Sequence, residues 1–251
     1  MKYLFRTTLL LMLLLVVNTT VKAQFTLSAE IRPRLEFNHG YKNLINVGEK
    51  PGVVFSQRSR LIFDYEHKVF ETKLSIQDVR IWGDEAQLSA ADIAGVSLHE
   101  AWGKVKFKEF FYFKLGRQEL AYDDQRLLGS VNWAQQGRSH DAVVFGFEKE
   151  GWKLHIAGAY NNDAFDLTKT PYSINGYRAL SYIWVNKTFK EKFKISFIGI
   201  ANGVENATDT TLYFTGTFGP HFEFKSKGFA TSATFYYCLL YTSPSPRDDI
   251  S

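Results

Sequence analysis

An unbroken alternation of apolar and polar residues runs from Phe25 to Phe37 and constrains the fold more than any other feature of the chain. Every odd-numbered position in it is apolar, and every even-numbered position is polar or charged. Because successive side chains of a strand point to opposite faces, this period predicts a long β-strand. The apolar face of such a strand meets either a protein core, as in a soluble sandwich, or lipid, as in an outer-membrane barrel.

The first 23 residues have the composition of a cleavable export signal. Lys2 and Arg6 precede a short apolar run, and Val21 and Ala23 supply the small residues of a cleavage site. The run is too short for a membrane-spanning helix, so we expect the mature chain to begin at Gln24. The formal net charge is +4, and three of the positive charges lie in this leader. Net charge therefore identifies no partner and gives no indication of nucleic-acid binding.

Ten more segments with strand-like alternation follow the first one. They lie at about 53–66, 70–82, 98–107, 111–120, 141–147, 152–160, 179–189, 193–201, 211–225 and 229–237. In the third strand the apolar phase shifts near Asp78, which predicts a β-bulge there. The connections alternate strictly between charged turns of a few residues and long loops at about 38–52, 83–97, 121–139, 161–178 and 202–210.

This alternation of short and long connections is typical of outer-membrane barrels, which have tight periplasmic turns and long extracellular loops. A soluble Greek-key sandwich has no reason to show it. Aromatic residues make up 16% of the chain, and many lie near strand ends, as in the interfacial girdles of such barrels. The sequence therefore predicts an all-β fold, an antiparallel transmembrane outer-membrane β-barrel in a lipid bilayer, with the loop at 38–52 outside the cell.

Charged side chains are concentrated on the polar faces of the first two strands. If both faces line one lumen, the members of this basic ladder with interspersed acids are Arg32, Arg34, Arg58, Arg60, Glu30 and Asp64. The residues expected to extend it are Arg80, Arg117, Arg126 and Arg138. Guanidinium groups bind carboxylates through two parallel hydrogen bonds, and rings of arginine and lysine select anions in pores. The alternative is that these arginines pair with the neighbouring acids and hold the barrel wall together, and both roles are compatible.

Groups that could perform catalysis or hold a metal are dispersed along the sequence. The six histidines occupy turns, loops and strand ends without the spacing of a metal site. Ser130 and Ser139 lie near His140 and Asp141, which suggests the triad of a membrane-embedded lipase or deacylase. Adjacent residues of a strand point to opposite faces, however, and this argues against such a triad. We therefore predict no catalytic residues, no metal and no cofactor.

The segment from Cys238 to Ser251 breaks the alternation, contains two prolines and shows no strand pattern. Outer-membrane barrels usually end on a strand with a terminal aromatic residue. We therefore interpret residues 238–251 as a non-native tail and residues 24–237 as part of a larger barrel, with a disordered natural tail as the alternative. Because Cys238 is the one cysteine of the chain, an intramolecular disulfide is impossible.

Several segments resemble the alginate-export porin family of Gram-negative outer membranes. They are residues 31–36, 59–61, 77–84, 99–102, 115–120 and 124–127. The most specific piece is Gly116-Arg117-Gln118-Glu119-Leu120 followed by Asp124-Gln125-Arg126, and the resemblance covers about residues 25–200. It implies a barrel of about eighteen antiparallel strands, of which about eleven are present here, inserted by the outer-membrane assembly machinery.

The resemblance also implies a function. Family members pass an anionic polysaccharide through an electropositive lumen, and the matching arginines here are Arg32, Arg34, Arg58, Arg60, Arg80, Arg117 and Arg126. On this basis we expect a passive, anion-selective channel for an anionic, alginate-like oligo- or polysaccharide. The main alternative is a structural or ligand-binding barrel without an open pore, with the loops at 83–97 and 121–139 contacting a partner. A membrane-embedded lipase or deacylase is less favoured.

Overall fold

The computed structural model describes residues 24–40, 45–84, 95–165, 171–172, 176–206 and 211–240. The predicted signal peptide and residues 241–251 of the predicted tail lie outside the described residues. The strands are β1 Phe25–Asn38, β2 Gly52–Glu66, β3 Phe70–Ile81, β4 Val96–Phe107, β5 Phe111–Gln118, β6 His140–Lys149, β7 Trp152–Tyr160, β8 Ala179–Phe189, β9 Phe193–Glu205, β10 Leu212–Ser226, β11 Phe229–Thr234 and β12 Tyr237–Leu240. Within these residues, no helix is long and apolar enough to cross a membrane.

All twelve strands belong to one antiparallel sheet, in which β1 to β11 follow one another in sequence order. The predicted all-β, antiparallel architecture is confirmed. The connections after β2, β4, β6, β8 and β10 are tight turns at one end of the sheet, which we call the short-turn end. The other connections lie at the opposite end, which we call the long-loop end.

The last strand of the sheet is interrupted. β11 and β12 both pair with β10, and Phe235 and Tyr236 separate them. At this point the carbonyl oxygen of Phe235 lies 1.8 Å from the position that a Cβ atom of Gly219 would occupy, so a residue with a side chain does not fit there. The predicted strand at 229–237 is therefore two strands, and pairing continues to Leu240, past the predicted boundary at Tyr237.

The two faces of the sheet differ in chemistry, as expected from the alternation. We call one of them the inner face, and its buried residues include Arg58, Ser75, Gln118, Val144 and Ile198. The outer face carries large apolar side chains that are exposed along the whole sheet, including Leu27, Ile31, Leu61, Phe145 and Ile183. An apolar surface of this extent is stable against lipid, whereas soluble proteins seldom expose one to water.

The bulge predicted near Asp78 is absent, because the β2–β3 ladder runs without a register shift along its whole length. The irregularity lies instead between β3 and β4, where the register shifts at Ser75 and Ile76 and His99 is the extra residue. A bulge lets two consecutive side chains point to the same side. His99 and Glu100 are accordingly both buried, at 2% and 5% exposure.

Candidate functional site

The β5–β6 connection, residues 119–139, folds onto the inner face, and we call it the inner segment. It contacts strands near both edges of the sheet: Arg32 of β1 donates to Asn132, and Thr234 of β11 donates to Asp124. The sheet has to curve around the inner segment for both contacts to form. The segment is therefore an internal element of the fold and not the outward-projecting loop that the sequence predicted.

Four arginines of β1 and β2 hold a turn in the middle of the inner segment. We call them the arginine anchor: Arg32, Arg34, Arg58 and Arg60. Arg32 donates from Nη1 to the carbonyl oxygen of Asn132 at 2.7 Å and from Nη2 to that of Ala134 at 2.7 Å. Arg34 donates from Nη1 to the carbonyl oxygen of Trp133 at 2.9 Å. The main chain of this turn is thus bound by side chains that precede it by about 100 positions.

Arg58 and Arg60 reach the same turn from β2. The side chain of Arg58 is 1% exposed, and it donates from Nε to Glu30 at 3.1 Å and from Nη1 to the carbonyl oxygen of Gln135 at 3.2 Å. Arg60 donates from Nε to Oε1 of Gln77 at 2.8 Å and from Nη2 to the carbonyl oxygen of Gln136 at 3.4 Å. A guanidinium group suits this position because its fixed fork of donors can serve an acid and a carbonyl at the same time. The pair with Glu30 matches the alternative in which arginines hold the wall together.

Asp64 also lies on the inner face, opposite Lys73 of β3. Toward the short-turn end, lysines and acids of this face form ion pairs. Nζ of Lys73 lies 2.6 Å from Oε2 of Glu100, and Nζ of Lys104 lies 3.1 Å from Oε2 of Glu71. Positive and negative charges therefore offset one another in this part of the inner face.

Arg80 and Arg117 do not lie on the inner face, and their prediction as lumen residues was wrong. Arg80 stands opposite Gln57 on the uninterrupted β2–β3 ladder, so it points away from the face that carries Arg58. Arg117 stands opposite Asp141 and donates from Nη1 to its Oδ2 at 2.8 Å on the outer face. The reason is geometric, because an error of one position in the phase of a strand reverses the face of every side chain.

The inner segment itself carries the other two arginines of the prediction, Arg126 and Arg138. The side chain of Arg126 is 74% exposed, and its Nε lies 3.3 Å from Oδ2 of Asp124. The side chain of Arg138 is also exposed, and its main-chain N–H donates to the carbonyl oxygen of Ser130 at 2.7 Å. Both arginines thus lie on the inner segment and not on a strand of the sheet.

Apolar contacts hold the rest of the inner segment against β6 to β9, and we call them the apolar anchor. Its buried residues are Leu120, Leu128, Ala142, Val144, Ala157, Leu180, Tyr182, Trp184 and Ile198. Full burial of one leucine side chain contributes about 1.5–3 kcal/mol. This anchor was not predicted from the sequence, although these strands carry apolar residues on the inner face as well as on the outer face.

Tyr122 and Asp123 add hydrogen bonds to the apolar anchor. The hydroxyl oxygen of Tyr122 lies 2.9 Å from Nδ1 of His155 and 2.7 Å from the hydroxyl oxygen of Tyr182. Asp123 accepts a hydrogen bond from Nε1 of Trp184 at 3.1 Å. Burial raises the pKa of the Tyr122 hydroxyl, so this group stays protonated and remains a donor.

Asp124 links the inner segment to the last strands of the sheet. It accepts hydrogen bonds from the hydroxyl of Thr234 at 2.8 Å and from the main-chain N–H of Arg126 at 3.3 Å. Burial acts to raise the pKa of the Asp124 carboxyl, but the hydrogen bonds and the nearby positive charges outweigh it. The pKa of Asp124 therefore lies below its ordinary value, and the carboxylate stays ionised at neutral pH.

His99, Glu100 and Glu119 form a group of three potential metal ligands where the inner segment begins. Their ligand atoms lie within 4.8 Å of one another, and their spacing in the sequence did not predict the group. Both acids already have partners, since Glu100 pairs with Lys73 and Glu119 lies 2.7 Å from Nε2 of His99. These pairs account for the burial of the group without a cation, and we assign no metal to it.

The residues of the suggested hydrolase triad have other partners. The hydroxyl of Ser130 donates to Oε1 of Gln125 at 3.2 Å, and Nδ1 of His140 lies 2.7 Å from the hydroxyl of Tyr177. Asp141 lies on the outer face, away from the inner segment. In the described part of the chain, these residues form no nucleophile–base–acid series.

The chain is similar to one protein family and to a solved porin structure. No curated protein is significantly similar to it. A BenF-like porin from Pseudomonas fluorescens Pf-5 aligns over 86% of this chain and 67% of its own chain, with 12% sequence identity and a TM-score of 0.45. The family described as Alginate export matches residues 23–168, which is more than half of the chain. The protein therefore belongs to the Alginate export family and is an outer-membrane channel.

Proposed function

We propose that this channel passes an anionic, alginate-like oligo- or polysaccharide by passive diffusion. The observation that carries the proposal is the convergence of the arginine anchor on one turn of the inner segment. The acids that pair with these arginines on β1 are Glu30 and Glu36, so positive charge is in excess at this place. Excess positive charge in a narrow lumen attracts a solute that carries carboxylates.

The arginine anchor acts through its charge more than through direct bonds to the solute. Each of its arginines donates to at least one main-chain oxygen of the inner segment, but a hydrogen bond to a carbonyl group leaves the guanidinium charge in place. The four charges therefore form a fixed positive field beside the passage. Attraction without tight coordination suits transport, because a solute has to leave the lumen as readily as it enters.

The turn held by the arginine anchor also presents an aromatic side chain. Trp133 is 74% exposed, while its carbonyl oxygen is bound by Arg34. An exposed indole ring offers an apolar face to the C–H face of a sugar ring and an N–H group to a hydroxyl. Aromatic surface next to positive charge favours an anionic saccharide over a small inorganic anion as the natural solute.

Uptake of labelled galacturonate and galactose into proteoliposomes tests the proposal, because the two sugars match in size and differ in charge. We expect the full-length protein to take up galacturonate faster than galactose. Arg34→Gln should lower this ratio, since it removes a charge from the arginine anchor. The matched control is Arg80→Gln, which removes the same charge from the outer face and should leave the ratio unchanged. Equal uptake of both sugars by the wild type would contradict the proposal.

A further inference from the structure

A cavity of about 590 Å³ lies beside the inner segment, and no residue of β1 or β2 lines it. The inner segment, β8 to β10 and described residues of the β7–β8 connection form its walls. The lining residues that matter here are Arg138, Asn161, Tyr177, Asn202 and Thr215. The volume falls within the range of about 300–1,000 Å³ that is typical of small-molecule sites.

Arg138 differs from the arginines of the arginine anchor. Its exposed guanidinium group has no hydrogen bond or ion pair to any residue that the structure describes, whereas Arg32 and Arg58 each bind several acceptors. Its main chain is nevertheless fixed, because its N–H donates to Ser130. A free guanidinium group on a cavity wall can bind a carboxylate through two parallel hydrogen bonds.

Two amide side chains supply the neutral part of the cavity. Asn161 donates from Nδ2 to the carbonyl oxygen of Tyr177 at 3.0 Å, which holds the amide in place and leaves its Oδ1 as an acceptor. The amide of Asn202 has no hydrogen bond to a described side chain or main-chain group, and Thr215 beside it donates to the Asn202 carbonyl oxygen at 3.4 Å. Amide groups of this kind pair with the hydroxyl groups of a sugar as donors and acceptors.

Tyr177 gives the cavity a fixed aromatic wall. Its hydroxyl lies 2.7 Å from Nδ1 of His140, and the two rings lie nearly parallel, with an interplanar angle of 12° and centroids 5.8 Å apart. The ring of Tyr177 is therefore held at its polar end. A fixed aromatic ring can pack against the apolar face of a sugar without a large loss of side-chain entropy.

We propose that this cavity is a binding site for one uronate residue of the transported saccharide, with Arg138 on the carboxylate and Asn161 and Asn202 on the hydroxyl groups. This inference rests on the proposed function, because it takes the solute to be an anionic saccharide. None of the four arginines of the arginine anchor lines this cavity. In this proposal the cavity binds one uronate residue of the solute through direct hydrogen bonds.

Calorimetric titration of the full-length protein in detergent tests the site, with a mannuronate trisaccharide as the probe and maltotriose as its neutral counterpart. Arg138→Gln should raise the Kd for the mannuronate trisaccharide about tenfold or more, since it removes a charge-assisted pair of hydrogen bonds. The same variant should change the Kd for maltotriose by less than about twofold, because that sugar has no carboxylate. Asn202→Ala should raise the Kd for both sugars by about fivefold, since it removes a neutral hydrogen bond.

The matched control is Arg126→Gln, which removes the same charge from the same segment at a residue outside the cavity. We expect it to change the Kd for the mannuronate trisaccharide by less than about twofold. Equal effects of Arg138→Gln and Arg126→Gln would overturn the site in favour of a diffuse field. An unchanged Kd in Arg138→Gln, or no binding by the wild type, would overturn it as well.

Different measurements test the binding site and the proposed function, because calorimetry tests the site and sugar uptake tests the channel. Faster uptake of galacturonate than galactose, with an unchanged Kd in Arg138→Gln, would overturn the site and support the channel proposal. Binding that depends on Arg138, with equal uptake of the two sugars, would support the site and contradict the channel proposal. The variant Arg138→Gln is expected to fold normally because the side chain is exposed, and circular dichroism of the β-sheet checks this.

Discussion

Arg58 is the most deeply buried charge of the arginine anchor, and it stabilises the fold as well as contributing to the field. Its side chain is 1% exposed and binds both Glu30 and the carbonyl oxygen of Gln135. A charge removed from water is costly unless such partners compensate for it. Removing the guanidinium group would leave its acid and its carbonyl partner without a donor.

We predict that Arg58→Ala lowers the free energy of unfolding by about 2–3 kcal/mol, which is less than for a fully buried pair. The expected loss is smaller than for a fully buried pair because the side chain of Glu30 is 36% exposed. The control is Arg34→Ala, since the side chain of Arg34 is 35% exposed and its loss should cost about 1 kcal/mol or less. Reversible urea unfolding in lipid vesicles measures both values, and equal losses would contradict this account of Arg58.

Asp124 makes the attachment of the inner segment to β11 dependent on pH. Because its folded-state pKa lies below the ordinary value of 3.8, the ionised group contributes stability above that value. The contribution is lost as the pH falls through the folded-state pKa. We predict that wild type is more stable than Asp124→Asn above about pH 5 and that the difference shrinks below about pH 4. Unfolding of both proteins across this range measures it, and a difference that grows in acid would refute the assignment.

Alternation in the sequence is enough to place Arg32, Arg34, Arg58 and Arg60 on one polar face, and the ladder between β1 and β2 shows them sharing it. Their partners could not be predicted. Main-chain carbonyl groups have no sequence signature, and these lie about 100 positions away along the chain. The lack of a described partner for the guanidinium group of Arg138 could not be predicted from the sequence either, because it depends on the positions of residues distant along the chain.

The inner segment is held by two anchors of different chemistry, and it also has internal hydrogen bonds. The main-chain N–H groups of Tyr122, Gln125, Ala134 and Arg138 each donate to a carbonyl oxygen within the segment. A connection with these bonds and with buried apolar side chains resists local opening, although it contains no helix or strand. Its two halves are nevertheless attached to different strands.

We predict that the two halves of the inner segment can be loosened separately. Arg32→Ala should speed amide hydrogen exchange at residues 131–137, because it removes three bonds from the turn. Leu128→Ala should speed exchange at residues 120–128, because it leaves a cavity in the apolar anchor. Hydrogen exchange with mass spectrometry resolves the two regions.

Each of these variants serves as the control for the other. Faster exchange over the whole of residues 119–139 in either variant would show a single cooperative unit and would contradict two independent anchors. Loss of exchange protection in β1 to β3 would show instead that the variant had unfolded part of the sheet.

Most strands could be predicted from period-two alternation, because a face against lipid imposes that pattern on every strand. The position of the inner segment could not be predicted, because its sequence follows no regular period. Its inward fold depends on contacts with β1, β2 and β6 to β9. The phase of Arg80 and Arg117 was misjudged for a related reason. Near strand ends the alternation is short, and ion pairs such as that of Arg117 with Asp141 let charges lie on the outer face.

The two edges of the whole sheet have no partner among the described residues, since β1 pairs with β2 and no ladder joins it to β11 or β12. Unpaired main-chain groups are not stable in the hydrocarbon of a bilayer, so each edge has to pair with another strand there. We predict that sequencing the source locus beyond the codon for Tyr237 reveals more alternating strands. A reading frame that ends at Ser251, together with a monomeric protein in the membrane, would contradict this.

At the scale of the whole molecule, arginines on the inner face should give the channel a preference for anions. The reversal potential of the full-length protein, measured in a planar bilayer under about a tenfold KCl gradient, tests it most directly. We expect a wild-type reversal potential with the sign of the chloride equilibrium potential. Arg34→Glu should move it toward the potassium equilibrium potential, and Arg80→Glu on the outer face should leave it unchanged. A wild-type channel that prefers potassium would contradict it.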